Sequence, residues 1–167
     1  MKLAGNQLVV AGMAALVAIG LFLAFAPNEE KRVRKTFDRV AALLGKEANE
    51  PMITSAAKAK ALGELVTAAF RFKAPEIGIN QSFDSASISE CAAMMRAHEQ
   101  HITVTFSELT VEFPADKANT AEVLGNVQVD SEHHLGFKDK NTRSFEATLK
   151  KDAETKAWRF AATTVSP

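Results

Sequence analysis

Nineteen consecutive residues, Leu8 to Ala26, carry no charge and no strong polar group. As a helix they rise roughly 28 Å, close to the hydrocarbon thickness of a bilayer. Leu8, Leu16, Ile19, Leu21, Phe22, Leu23 and Phe25 supply the bulk of the run. The expectation is a transmembrane anchor over residues 1–27, with the lipid bilayer as its first partner, and a domain over 28–167 held close to the membrane. A cleavable signal peptide is the rival reading. Lys2 would be its basic head, and Ala24-Phe25-Ala26 has the small-x-small form of a cleavage site. The run exceeds the usual apolar core of about 7–15 residues. Pro27 would follow the scissile bond, where a missing N–H and a fixed φ suit a protease poorly. Both features favour the uncleaved anchor. Ala11 and Ala15, and Ala14 and Ala18, recur at a spacing that suits a helix–helix contact.

The flanking charges give no single orientation. Lys2 stands on one side; Lys31, Arg32, Arg34, Lys35 and Arg39 follow on the other. Taken literally, the positive-inside rule keeps the C-terminal domain in the cytoplasm. A short head with one lysine is also how chains with an exported domain begin. The lone Cys91 excludes an intrachain disulfide and says nothing of the redox compartment. Without Lys2, 19 Lys and Arg stand against 20 Asp and Glu, a net charge of −1. Such a domain has no electrostatic case for binding nucleic acid.

Helical signals come first along the domain. Asn28 can cap a helix whose first turn is acidic, and Val33, Phe37, Val40, Ala41 and Leu44 form one apolar stripe ending near Gly45. Pro51 opens a second helical segment, Met52 to Thr67, with Ile53, Leu62, Leu65 and Val66 as its apolar anchors. Ala69 to Lys73 reads as a short strand, and Pro75 to Phe83 as a turn or hairpin. Ser87-Ile88-Ser89-Glu90 fits a capping box for a third helix reaching about Glu99.

From Ile102 the apolar period becomes two. Ile102, Val104 and Phe106 alternate with threonine or serine, while Leu109, Val111 and Phe113 alternate in the opposite phase. A bulge or sharp bend at Ser107-Glu108 would produce that inversion. Further strands carry Ala121, Val123, Gly125, Val127 and Val129, then Phe145, Ala147 and Leu149, then Trp158, Phe160 and Ala162. Three helices followed by a meander of long strands give an α+β class, with the helices packed on a curved antiparallel sheet.

The order of elements resembles the nuclear transport factor 2-like (cystatin-like cone) superfamily over nearly all of residues 28–165. Glu29 to Phe37 (EEKRVRKTF) is similar to its first helix. Gln81 to Ser89 (QSFDSASIS) is similar to the turn before its third helix, and Lys156 to Phe160 (KAWRF) to its closing strand. An apolar anchor followed directly by such a domain is also similar to bacterial accessory proteins of envelope complexes. Mce-associated membrane proteins and the inner-membrane scaffold of type IV secretion systems are examples. The resemblance implies an inner-membrane, single-pass protein with a periplasmic domain, against the literal charge rule. The superfamily hosts enzymes, ligand binders and adaptors, so fold does not settle function.

Enzymes on this fold line the cone with a carboxylate base and Tyr, His or Asp donors. This chain has no tyrosine. Asp38 lies off the first helix's stripe, and Asp130 alternates away from the apolar strand face, so both read as surface acids. His133 and His134 point to opposite sides of a strand, and His98 and His101 straddle a helix end, where a basic group suits the dipole. No spacing suggests a metal site. Cys91 shares the third helix with Ile88, Ala92 and Met95 and reads as a small buried apolar residue. No glycine spacing cradles a phosphate. No catalytic residue, metal or cofactor is expected. Phe37, Leu44, Cys91, Met95, Phe106, Val127, Phe145 and Trp158 are the expected core or pocket lining.

Two functions compete. One is a membrane-anchored, non-catalytic scaffold domain with a membrane-protein partner or a second copy of itself. The other is a binder of a small apolar ligand, or an isomerase- or dehydratase-like enzyme, using the cone. A polar group projecting into the cone would separate them.

Overall fold

The structure, a computed structural model, describes residues 28–167. The apolar run and the seven residues assigned to an anchor lie outside the described residues. Among the described residues no helix is long and apolar enough to cross a membrane.

Helix α1, Glu29–Leu44, starts where Asn28 Oδ1 accepts the Lys31 N–H at 3.0 Å. Val33 and Phe37 are its buried residues. Its first turn is tied to the sheet, because Glu29 accepts from Trp158 Nε1 and Lys151 Nζ at 2.9 Å each. Helix α2 covers Met52–Gly63 and is shorter than expected. Leu65 leads out of the helix, and Val66 opens strand β1, Val66–Ala74, rather than continuing the helix. The ending coincides with a close approach: a Cβ on Gly63 would fall 2.3 Å from the Ser85 carbonyl and 2.2 Å from Ser89 Oγ. Ile53, expected to anchor this helix, is 80% exposed.

After β1 a 3-10 turn, Pro75–Ile77, leads into β2, Ile79–Phe83, which closes a hairpin with β1. Helix α3, Ser85–His98, is capped by Asp84 rather than by Ser87. Asp84 Oδ1 accepts the Ser87 N–H at 2.8 Å, and that bond holds its carboxyl below the usual aspartate range. The serine taken for a cap is therefore the donor of the cap.

Strands β3 (Glu99–Glu112), β4 (Thr120–His133), β5 (Lys138–Lys151) and β6 (Trp158–Ser166) follow. The sheet order is β2-β1-β6-β5-β4-β3. It is mixed rather than wholly antiparallel, because α3 carries the chain to the far edge and the meander returns to lay β6 parallel to β1. The phase inversion at Ser107-Glu108 is a bulge: register shifts between Ser107 and Thr110, and Glu108 has φ +54°. Leu109 Cδ2 occupies the space above Gly125, where a Cβ would meet it at 2.7 Å. A second irregularity skips Ala161, so Leu149 pairs with Phe160 and Thr148 with Ala162. Ala162 therefore turns away from the face of Trp158 and Phe160, against expectation, and Thr163 and Val165 replace it. These bulges bend the sheet around the helices.

Arg96, on α3, is 1% exposed. Its Nη1 donates to the carbonyls of Leu43, Leu44 and Gly45 at 2.8, 2.9 and 3.1 Å. Its Nε reaches Ser55 Oγ at 2.9 Å, and its Nη2 pairs with Glu50. Lys58 closes the other side of Glu50 at 2.6 Å. One guanidinium thus satisfies the open carbonyl end of α1 and binds both other helices to it.

Burial alone would raise the carboxyls of Glu29 and Glu50. The hydrogen bonds and charges of Lys151, Trp158 and Arg32 at the first, and of Lys58 and Arg96 at the second, outweigh it and hold both below the ordinary 4.5. The folded pKa is the lower one, so the stabilisation is complete above about pH 4.5 and is lost as pH falls through the folded values. Unfolding followed by Trp158 fluorescence should show stability declining below that pH, with a flatter decline in Glu50→Gln. Arg96→Met should cost about 2–4 kcal/mol at neutral pH, since it leaves Lys58 as the one cation on buried Glu50 and takes the donor from the Leu43 and Leu44 carbonyls. Gly63→Ala should cost about 1–3 kcal/mol through overpacking of α2 on α3.

Candidate functional site

Helices α1, α2 and α3 do not fill the hollow of the bent sheet. A cavity of about 340 Å³ remains between them and strands β1 and β3 to β6. Phe37, Val40 and Leu44 reach it from α1, Leu62 from α2 and Ile88 from α3. The sheet contributes Phe106, Val127, Phe145, Ala147 and Phe160, and the hairpin side adds Phe70 and Phe72. Thr163 is the single lining residue with a polar side-chain atom. The lining holds no acid, histidine, lysine or arginine.

An aromatic cluster shapes one wall. The Phe37 ring stands edge-on to Phe106 at 5.2 Å and to Phe160 at 5.1 Å, and tilts over Phe145 at 5.5 Å. Such offset contacts are favourable for rings of this kind. They fix the aromatic wall in place without any polar contact.

Phe37, Leu44, Phe106, Val127 and Phe145 come together at the cavity. Trp158 is buried in the same core but lies at the α1 amino end, bonded to Glu29 and 5.9 Å from Phe113, outside the lining. Cys91 and Met95 depart from expectation: Cys91 is exposed and Met95 is 36% exposed. Helix α3 turns Ala92 and Arg96 inward instead, so the apolar side chains at 91 and 95 fall on its outer side. Arg96 is the residue that reading for apolar stripes missed, because a basic side chain near a helix end looks solvated. Leu62, Phe70, Phe72 and Val165 were also missed as lining, although each is apolar in a regular element.

The candidate acids and histidines lie elsewhere. Asp38 is exposed on α1. Asp130 pairs in register with Thr103 and Lys140 and accepts from Gln128 Nε2 at 2.8 Å, away from the cavity. His133 and His134 have ring centroids 6.3 Å apart. His134 Nε2 lies 3.1 Å from the Ala97 carbonyl, and His101 Nε2 lies 3.1 Å from Thr103 Oγ1. Among the described residues no group of three or more His, Cys, Asp or Glu is placed to hold a metal ion.

No family model matches the chain, and no curated protein matches it either. Solved structures do. A protein from Novosphingobium aromaticivorans DSM 12444, named for scytalone dehydratase, has a TM-score of 0.66 at 11% identity, over 82% of each chain. A nuclear transport factor 2-like superfamily protein from Salmonella enterica has a TM-score of 0.61 at 13% identity, over 81% of this chain and 88% of that one. Another such protein with a cystatin-like fold, from Novosphingobium aromaticivorans, has a TM-score of 0.60 at 15% identity, over 89% and 86%. The described domain thus has the cystatin-like cone fold, and likeness at this identity extends to fold alone.

Phe37→Ala should lower the unfolding free energy by about 3–5 kcal/mol, measured by chemical denaturation, because it removes the ring shared by three aromatic partners.

Proposed function

We propose that this chain is a membrane-tethered, non-catalytic domain that holds a small apolar molecule in its cone. The observation that carries the reading is the cavity of about 340 Å³ with Thr163 as its single polar lining residue. An apolar guest would gain about 25 cal/mol per Å² of surface removed from water, and the walls would lose no hydrogen bonds on binding it. A dehydratase or isomerase needs a proton donor or acceptor within reach of its substrate. The Thr163 hydroxyl is the one such group in the lining, and no acid, histidine or lysine lines the cavity beside it to activate it. The tether rests on Leu8 to Ala26 and on Asn28 following almost at once, which leaves the domain close to the bilayer. The resemblance to envelope accessory proteins supports the periplasmic side of the inner membrane for that domain over the cytoplasmic side that the flanking charges favour.

The same short connection favours a second reading, an accessory subunit of a membrane complex, whose test is the mass of the tagged full chain extracted in mild detergent. A stoichiometric second protein supports it; recovery as a monomer or homodimer overturns it.

The cavity reading is tested on the full chain in phosphatidylcholine nanodiscs with labelled methyl groups, titrated with cyclohexane. Shifts should concentrate on Leu62, Ile88, Val127 and Val165 and vanish in Val165→Trp, whose fold is checked by Trp158's own signal. Cyclohexane shifts absent from these methyls would overturn the proposal.

A further inference from the structure

Arg143 stands in a place that the apolar lining does not explain. On β5 it pairs with Val127, which pairs in turn with Phe106 across the sheet. Residues paired across strands share a face. Phe106 and Val127 both line the cavity, so Arg143 rises from the same face, one row beyond the lining residues Phe145 and Val165. The β5–β6 ladder stops at Ser144 and Ser166, just short of Arg143. On that open side Glu76, in the 3-10 turn after β1, reaches across the end of β6, and Arg143 Nη1 donates to its Oε2 at 2.9 Å. A cation therefore sits at the lip of an otherwise apolar chamber, paired with a carboxylate of the chain itself.

We infer that the cavity takes an amphiphile: an acyl-type chain in the chamber and a carboxylate head on Arg143, in the position Glu76 occupies. The inference rests on the cavity reading above and names its ligand class. Three observations support it. The chamber, at about 30 Å³ per small guest atom, has room for on the order of ten non-hydrogen atoms, the scale of a medium-length chain. The guanidinium fork suits a carboxylate, and Glu76 already presents one to it. The Arg143 and Glu76 side chains are 38% and 44% exposed, so their pair is weak and exchangeable. A neutral hydrocarbon would make no use of this pair, and an amine head would have to take Glu76, which belongs to the 3-10 turn and not to the sheet face that carries the lining.

The test uses the full chain in phosphatidylcholine nanodiscs, with affinities for decanoate and decanol read from the Val127 and Val165 methyl shifts against free aqueous concentration. Decanoate is expected to bind at least tenfold tighter than decanol. Arg143→Gln should erase that preference, and Glu76→Gln should tighten decanoate several-fold by removing the internal competitor. Both residues are surface-accessible, and Trp158 fluorescence verifies that each variant folds. Equal binding of the two probes, or a preference that survives Arg143→Gln, overturns the carboxylate inference while cyclohexane binding leaves the cavity reading in place. Failure of decanoate, decanol and cyclohexane alike overturns both. Decyl phosphate is the control for the head: a tenfold preference for it over decanoate would also overturn the carboxylate assignment.

Discussion

The arrangement of the three helices turns on the burial of Arg96. A guanidinium at 1% exposure is costly to desolvate, and the structure offsets that cost with Glu50, Ser55 Oγ and three consecutive carbonyls. Because those partners come from the end of α1, the α1–α2 connection and α2, the side chain sets the distances among all three helices. Gly63 then lets α2 lie against the start of α3. Polar contacts gather at the carboxyl end of α1, and the apolar hollow is left to the aromatic side chains beneath the helices.

The hollow exists because the sheet bends more than the helices fill. Extra residues at Glu108 and Ala161 swing β3 and β6 around the helical layer. The Phe37, Phe106, Phe145 and Phe160 rings brace one another edge to face and line one side. Large rings locked in mutual contact cannot collapse inward, which keeps the space open without a polar strut.

Much of this architecture was legible in the order of residues, and the failures have physical causes. The bulge at Ser107-Glu108 showed because large apolar side chains on both sides of it changed phase. The irregularity at Ala161 did not, because Ala161 and Ala162 are both small and mask the inserted residue. Helix α2 extends less far than its apolar residues suggest, since Leu65 and Val66 are apolar in either a helix or a strand; it ends at Gly63, where it packs closely on Ser85. Cys91 and Met95 suggested burial by their chemistry, but Arg96 and Ala92 took the inner side of α3. A charged residue at the centre of a helical layer is hidden from any pattern that looks for apolar spacing. The cavity was legible only as an expectation carried by the fold, with Phe37, Leu44 and Phe106 among its walls; its emptiness of titratable groups is a property of the packed molecule.

Strand β6 lies beside β1, so Val66 pairs with Phe160 across more than half of the chain. Leu65 also accepts the Phe160 N–H at 2.8 Å. Loop closure over such a separation is entropically slow, and this is the pairing that joins the first hairpin to the meander. The helical layer and the β3–β6 meander consist of contacts nearer in sequence and can assemble beforehand. The junction of β1 with β6, where Phe72 meets Thr163, is then the last boundary to close. During synthesis the chamber has no completed boundary until the carboxyl-terminal strand has docked, so a guest is captured by the finished domain and not by an intermediate on the way to it.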